Sequence, residues 1–183
     1  MNDRRRRFET EALPHLDAAY HFARWLARPP CDAEEIVQEA MLRAFAGFDS
    51  FRGDNVKPWL LSIVRNCFLE AVRKNQRRHS EPLPSDDELG ARPADDPDPE
   101  AIMIQSDERR QLHEIVEKLP KEFREVLALR EMEGMSYREI ALIIGTPIGT
   151  VMSRLARARG MLRQRWHRDI EGPCVQQTAA PLE

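Results

Sequence analysis

Thr150, Ser153, Arg154 and Arg157 recur at i, i+3, i+4 and i+7. On a helix, that spacing places two hydroxyls and two guanidinium groups on one face. Arginine bonds bidentately to guanine edges or to phosphate, so such a row is chemistry for reading a nucleic-acid duplex. Ile148, Val151, Leu155, Ala158 and Leu162 fall on the other side as an apolar stripe. A stripe of that kind is buried against a neighbouring helix. A solvated basic face on an amphipathic helix pair is the plainer reading of the arginines alone.

The elements just upstream favour the duplex reading. Ser136 and Glu139 have the spacing of a capping box, which starts a helix there. Tyr137, Ile140, Ala141 and Ile144 make its apolar face. Gly145 stands where that helix must stop, since glycine takes left-handed backbone at low cost. Thr146 is the expected cap of the next helix, with Pro147 in its first turn. Two short helices around a tight turn, the second carrying a polar row, make a helix-turn-helix, a device for seating one helix in the major groove.

Charge distribution agrees. The 183 residues carry a formal charge of −3. Between Glu81 and Glu108 stand ten acids and one base; the rest of the chain holds twenty-seven bases and twenty-one acids. A net −9 insert in a +6 body suits a nucleic-acid binder better than the total does. Residues 80–100 combine these acids with Pro82, Pro84, Pro93, Pro97 and Pro99, and read as a tether that buries little apolar area. Its acidity serves solubility by default; occupying a basic channel is the other reading.

The tether divides the chain into modules at 8–79 and 101–168, with a frayed tail over 169–183. The first module reads as three helices. One runs from about Phe8 to Ala27, with Ala12, Leu16, Ala19, Phe22, Ala23 and Leu26 inward and Pro14 near its start. A second, capped by Asp32, runs to about Phe48 and buries Val37, Ala40, Met41, Ala44 and Phe48. A third runs from near Lys57 to about Arg78 and buries Leu60, Ile63, Val64, Cys67 and Ala71. The second module has helices near Ala101–Lys118 and Pro120–Glu133 before the helix-turn-helix. No strand alternation is present, so the fold class is all-α: two small helical domains joined by an acidic, Pro-rich linker.

Two further surfaces stand out. Glu35, Gln38, Glu39 and Leu42 share the face of the second helix opposite its apolar stripe, and an exposed leucine beside acids fits a protein contact or a plain solvated face. Arg65, Arg73, Lys74, Arg77 and Arg78 line the third helix. They suit single-stranded or distorted DNA, or simply the negative end of the helix dipole.

Chemistry of other kinds finds no footing. Cys31, Cys67 and Cys174 form no C-x-x-C, and the five histidines have no ligand spacing. No nucleophile–base pair or phosphate-cradling glycine loop occurs, so no catalytic residue, metal or cofactor is expected. No run reaches the ~18 apolar residues of a membrane span, and no signal peptide is visible, so a cytoplasmic location without membrane insertion is expected.

Asp32-Ala-Glu-Glu-Ile-Val-Gln-Glu39, Phe48-Asp-Ser-Phe-Arg-Gly53, Trp59-Leu-Leu-Ser-Ile-Val-Arg-Asn66, Leu119-Pro120, Gly134-Met-Ser-Tyr-Arg-Glu-Ile-Ala141 and Gly149-Thr-Val-Met-Ser-Arg154 occur in that order. The set resembles bacterial sigma factors of the sigma-70 family, in particular the small extracytoplasmic-function group built from region 2 and region 4. The resemblance implies a subunit that binds core RNA polymerase (β′ and β), directs it to promoter DNA and helps melt the duplex. It implies that Glu35, Gln38, Glu39 and Leu42 face the polymerase. It also implies that the loop Phe51–Val56 with Asn66 reads the melted element; Arg52, Asn55, Val56, Asn66, Arg73 and Arg77 are the candidate residues. Thr150, Ser153, Arg154 and Arg157 would contact the distant duplex element. The segment Asp54-Asn-Val-Lys-Pro-Trp59 is shorter than in many members and has no aromatic before Trp59. With no inhibitory region expected ahead of the first module, control by a separate anti-sigma factor is implied. A conventional helix-turn-helix regulator acting without polymerase is the alternative, and it leaves the N-terminal module unexplained.

Overall fold

The computed structural model describes residues 2–27, 31–80, 112 and 114–170, and every regular element among them is helical. The acidic tether, the start of the helix expected at Ala101, Cys174 and the tail beyond 170 lie outside the described residues.

The first helix expected from Phe8 to Ala27 is two helices, α1 (Asn2–Glu11) and α2 (Leu16–Leu26), separated by a 3-10 turn at Leu13–His15. Pro14 sits inside that turn, where its missing N–H and fixed φ interrupt an α-helical ladder. Leu16, placed inward on the single-helix reading, is 39% exposed because the break rotates it outward. Helix α3 (Ala33–Gly47) begins as expected: the Asp32 carboxylate accepts from the Glu34 N–H at 2.8 Å. A 3-10 turn (Phe48–Ser50) follows, then a short loop and α4 (Val56–Ser80).

Helix α4 is the spine of the molecule. Leu60, Leu61, Val64, Cys67 and Phe68 are all buried, a stripe too wide for one contact. One side packs on α2 and α3, and the other receives the C-terminal module. That module holds a helical segment at residues 114–117, α5 (Lys121–Leu127) running into a π-helical turn (Ala128–Met132), α6 (Tyr137–Ile144) and α7 (Ile148–Ile170). Ile140, Ile143, Ile144, Val151 and Leu155 join the buried residues of α2, α3 and α4 in one contiguous core. Arg124 is buried at the junction and donates to the Leu26 and Glu117 carbonyls at 3.3 and 3.0 Å. A guanidinium on the last carbonyl of α2 also meets the negative end of that helix.

Candidate nucleic-acid and polymerase interfaces

The helix-turn-helix forms as its capping residues dictate. The Ser136 N–H donates to the Glu139 carboxylate at 2.8 Å, and the Glu139 N–H donates to the Ser136 hydroxyl at 3.3 Å. The Ser136 N–H first, and then the Ser136 side chain, hold the Glu139 carboxyl below its ordinary range. Gly145 ends α6 at φ 67° and ψ 40°, a left-handed position that favours glycine. The chain then turns by 101° into α7. Thr146 does not cap α7. Its hydroxyl is buried without a hydrogen-bond partner, while the Pro147 carbonyl accepts the N–H groups of Thr150 and Val151. Pro147 therefore stands one place earlier than a first-turn proline, and Thr146 belongs to the turn.

Val151, Leu155 and Ala158 anchor α7, as the apolar stripe requires. Ile148, assigned to the same stripe, is 41% exposed at the open end of the turn. On the opposite side Ser153 and Arg157 are exposed, and Thr150 and Arg154 are half-buried. The row spans about 10 Å of helix, comparable with the ~12 Å width of a major groove. Ser153 donates its hydroxyl to the Thr150 carbonyl at 3.0 Å, so it is held against its own helix. Sequence reasoning missed the strut behind this face. Arg159 donates twice to Glu131, at 3.1 and 2.7 Å, pinning α7 to the π turn from 28 residues away. No local pattern signals that pair.

The melted-element candidates divide. Asn66, Arg73 and Arg77 are exposed and, at i, i+7 and i+11 on α4, share one line about 16 Å long. Arg52 and Asn55 are exposed in the loop ahead of that line. Val56 is not a surface reader: it is 7% exposed and faces the core as the first residue of α4. Arg65 leaves the basic strip as well, because it is paired with Glu125 of the C-terminal module. The loop rests on an aromatic base. Phe51 and Trp59 have ring centroids 4.9 Å apart, and Phe48 lies 6.3 and 6.0 Å from them. A Cβ on Gly53 would stand 2.9 Å from the Phe51 ring, so the glycine lets the loop close over it.

Glu35, Gln38, Glu39 and Leu42 are all exposed on one face of α3, with Leu42 at 67%. They line a single cleft of about 540 Å³ closed on its other side by α4. Arg43 and Glu70, which sequence reasoning did not select, complete that wall. Arg43 pairs with Glu39 at 2.6 Å and Glu70 at 2.8 Å, and its guanidinium is held above its ordinary range, first by the Glu39 hydrogen bond. Cys67 opens onto the same cleft, and burial pushes its thiol up, away from nucleophilic reactivity. Among the described residues, no single helix is long and apolar enough to cross a membrane.

Known proteins match both modules. Residues 13–78 match the family profile described as sigma-70 region 2, and residues 109–162 match sigma-70 region 4. The ECF RNA polymerase sigma factor SigE of Mycolicibacterium smegmatis is 38% identical over 149 residues, covering 81% of this chain and 57% of its own length. The ECF RNA polymerase sigma-E factor of Escherichia coli is 36% identical over 141 residues, covering 72% of each chain. Among solved structures, the sigma factor RpoE of Bartonella quintana, crystallised with the anti-sigma factor NepR, superposes with a TM-score of 0.69 at 31% identity. That match covers 88% of this chain and 98% of the other. By sequence and by fold, the chain belongs to the sigma-70 family of RNA polymerase sigma factors, in its extracytoplasmic-function group.

Proposed function

We propose that this chain is a promoter-specificity subunit: it docks on core RNA polymerase, brings it to particular promoters and assists melting there. The observation that carries the reading is the separation of three exposed surfaces on one helical frame. The α3 face of Glu35, Gln38, Glu39 and Leu42 takes the polymerase. The line Asn66, Arg73 and Arg77, with Arg52 and Asn55 ahead of it, takes the unpaired strand. Arg154 and Arg157, supported by Thr150 and Ser153, take the distant duplex element. Residues 8–79 and 101–168 are the working units, and the acidic stretch 80–100 tethers them. The chain supplies recognition in the cytoplasm and leaves the chemistry of synthesis to the polymerase. The similar Bartonella factor crystallised with an anti-sigma factor supports control of this chain by a protein of that kind.

Run-off transcription from a promoter library with core polymerase tests the reading. Transcripts should depend on the chain, and Arg154→Ala should relax one position of the distant element at a cost of roughly 1–3 kcal/mol. Binding to DNA as a polymerase-free dimer, with no new transcripts, would reject it in favour of a conventional regulator.

A further inference from the structure

Helix α7 has a second exposed row that the proposed DNA contacts leave unused. Ile148, Met152 and Ala156 recur at i, i+4 and i+8, so they follow one ridge of the helix for about 12 Å. Ile148 is 41% exposed, Met152 is 52% exposed, and Ala156 is exposed as well. A single exposed apolar side chain is ordinary. Three along one ridge are not, on a stretch that carries six arginines and no acid between Ile148 and Arg168. The ridge runs beside Ser153 and Arg157, which are exposed on the same helix. Gly149 lies on this side too, and a Cβ built there meets nothing within 4 Å. Among the described residues nothing fills that space, so the backbone can come close to a partner there.

The base edges of the major groove carry one apolar group, the C5 methyl of thymine. Cytosine has no methyl at that place and presents an amino donor instead. A donor desolvated against a thioether or a methyl group finds only a weak acceptor or none, which disfavours the wrong base. An apolar ridge alongside a row of donors therefore separates thymine from cytosine. Arginines that seek guanine or phosphate do not make that distinction.

We infer that Met152, with Ala156 one turn further on, takes the C5 methyl of a thymine in the distant duplex element and so sets an A·T pair there. The inference deepens the proposed assignment of α7 to that element and rests on it. The polar row then fixes the helix on the duplex and reads its acceptors, and the apolar ridge adds a base that hydrogen bonding alone does not select.

The test uses the full chain with core RNA polymerase. A duplex library randomised over the distant element is selected for binding that depends on both. Each thymine of the selected element is then replaced singly by deoxyuridine, which lacks only the methyl. At one thymine the replacement should weaken binding about fourfold, the worth of burying one methyl group. Met152→Leu should keep that discrimination, and Met152→Gln, of similar length but polar, should abolish it. Met152 is exposed, so thermal melts of both variants should match the parent. An element selected without an A·T pair overturns the inference. Uridine bound as well as thymine at every position overturns it too, as does discrimination that survives Met152→Gln. If Arg154→Ala relaxes the selected element while any of those results holds, the methyl contact alone falls and the assignment of α7 stands. If no duplex sequence is selected, the assignment of α7 falls and the methyl contact with it.

Discussion

Replacing Gly145 by alanine should destabilise the protein, and replacing Gly160 by alanine should stabilise it, although the chemical change is the same. Gly145 sits at φ 67°, and a Cβ built there meets nothing within 4 Å. No neighbour objects, so the whole cost is the intrinsic strain of a left-handed L-residue, about 1–2 kcal/mol. Gly160 lies inside α7 with an ordinary backbone, and a Cβ there also meets nothing within 4 Å. Alanine at that position removes unfolded-state entropy and gains about 0.5–1 kcal/mol. For a protein of this size 1 kcal/mol moves the midpoint by about 2–4 °C. Thermal melts should thus place Gly145→Ala about 2–8 °C below the parent and Gly160→Ala about 1–4 °C above it. Gly145→Asn should fall between Gly145→Ala and the parent, since asparagine tolerates this region better. The reasoning is refuted if Gly145→Ala melts with the parent, or if the two alanines shift the midpoint in the same direction.

Other perturbations test separate joints. Ser136→Ala removes one side of the capping box and should cost about 0.5–2 kcal/mol in urea unfolding. The Glu139 carboxyl titrates below its ordinary range when folded, so its contribution is present at neutral pH and disappears as pH falls through that lowered value. Glu139→Gln should flatten the acid limb of a stability–pH profile; an unchanged limb would remove Glu139 from the account. Arg124→Met leaves the Leu26 and Glu117 carbonyls without their guanidinium and should cost about 1–3 kcal/mol by the same unfolding measurement. Leu42→Asp changes a side chain that is 67% exposed, so stability should hold within ~0.5 kcal/mol while competition binding shows polymerase affinity at least ~10-fold weaker.

Local chemistry was legible in the sequence wherever a residue acts on its own turn of chain. Asp32 caps α3, Ser136 and Glu139 close their box, and Gly145 ends α6, because each depends on neighbours within a few positions. The exposed row on α3, and the α7 row with Ser153 and Arg157 exposed and Thr150 and Arg154 half-buried, followed from helical spacing for the same reason. Long-range packing was not legible. Val56 heads a helix and sinks into the same core as Phe48, against which Phe51 and Trp59 also pack. The second buried side of α4 is created by a module that begins more than thirty residues later, so Leu61 and Phe68 escaped a single-stripe reading. Arg65 looked like part of a basic strip until Glu125 met it from across the molecule. Pro14 and Pro147 were seen, but not that one would divide a helix and the other displace Thr146 from the cap.

The two-surface arrangement makes a geometric demand on DNA. Helices α4 and α7 pack on one contiguous core, whereas on the proposed reading a promoter presents its distant duplex element and its melted element as separate stretches. On the proposed assignments, reading both calls for polymerase to hold the modules apart. Footprinting the chain with core polymerase on a responsive promoter, with permanganate reporting unpaired thymines, tests that demand directly. Two protected stretches with reactive thymines in the downstream one, seen only when chain and polymerase are both present, is the predicted result. A single protected palindrome formed by the chain alone, with no reactive thymines, would contradict it.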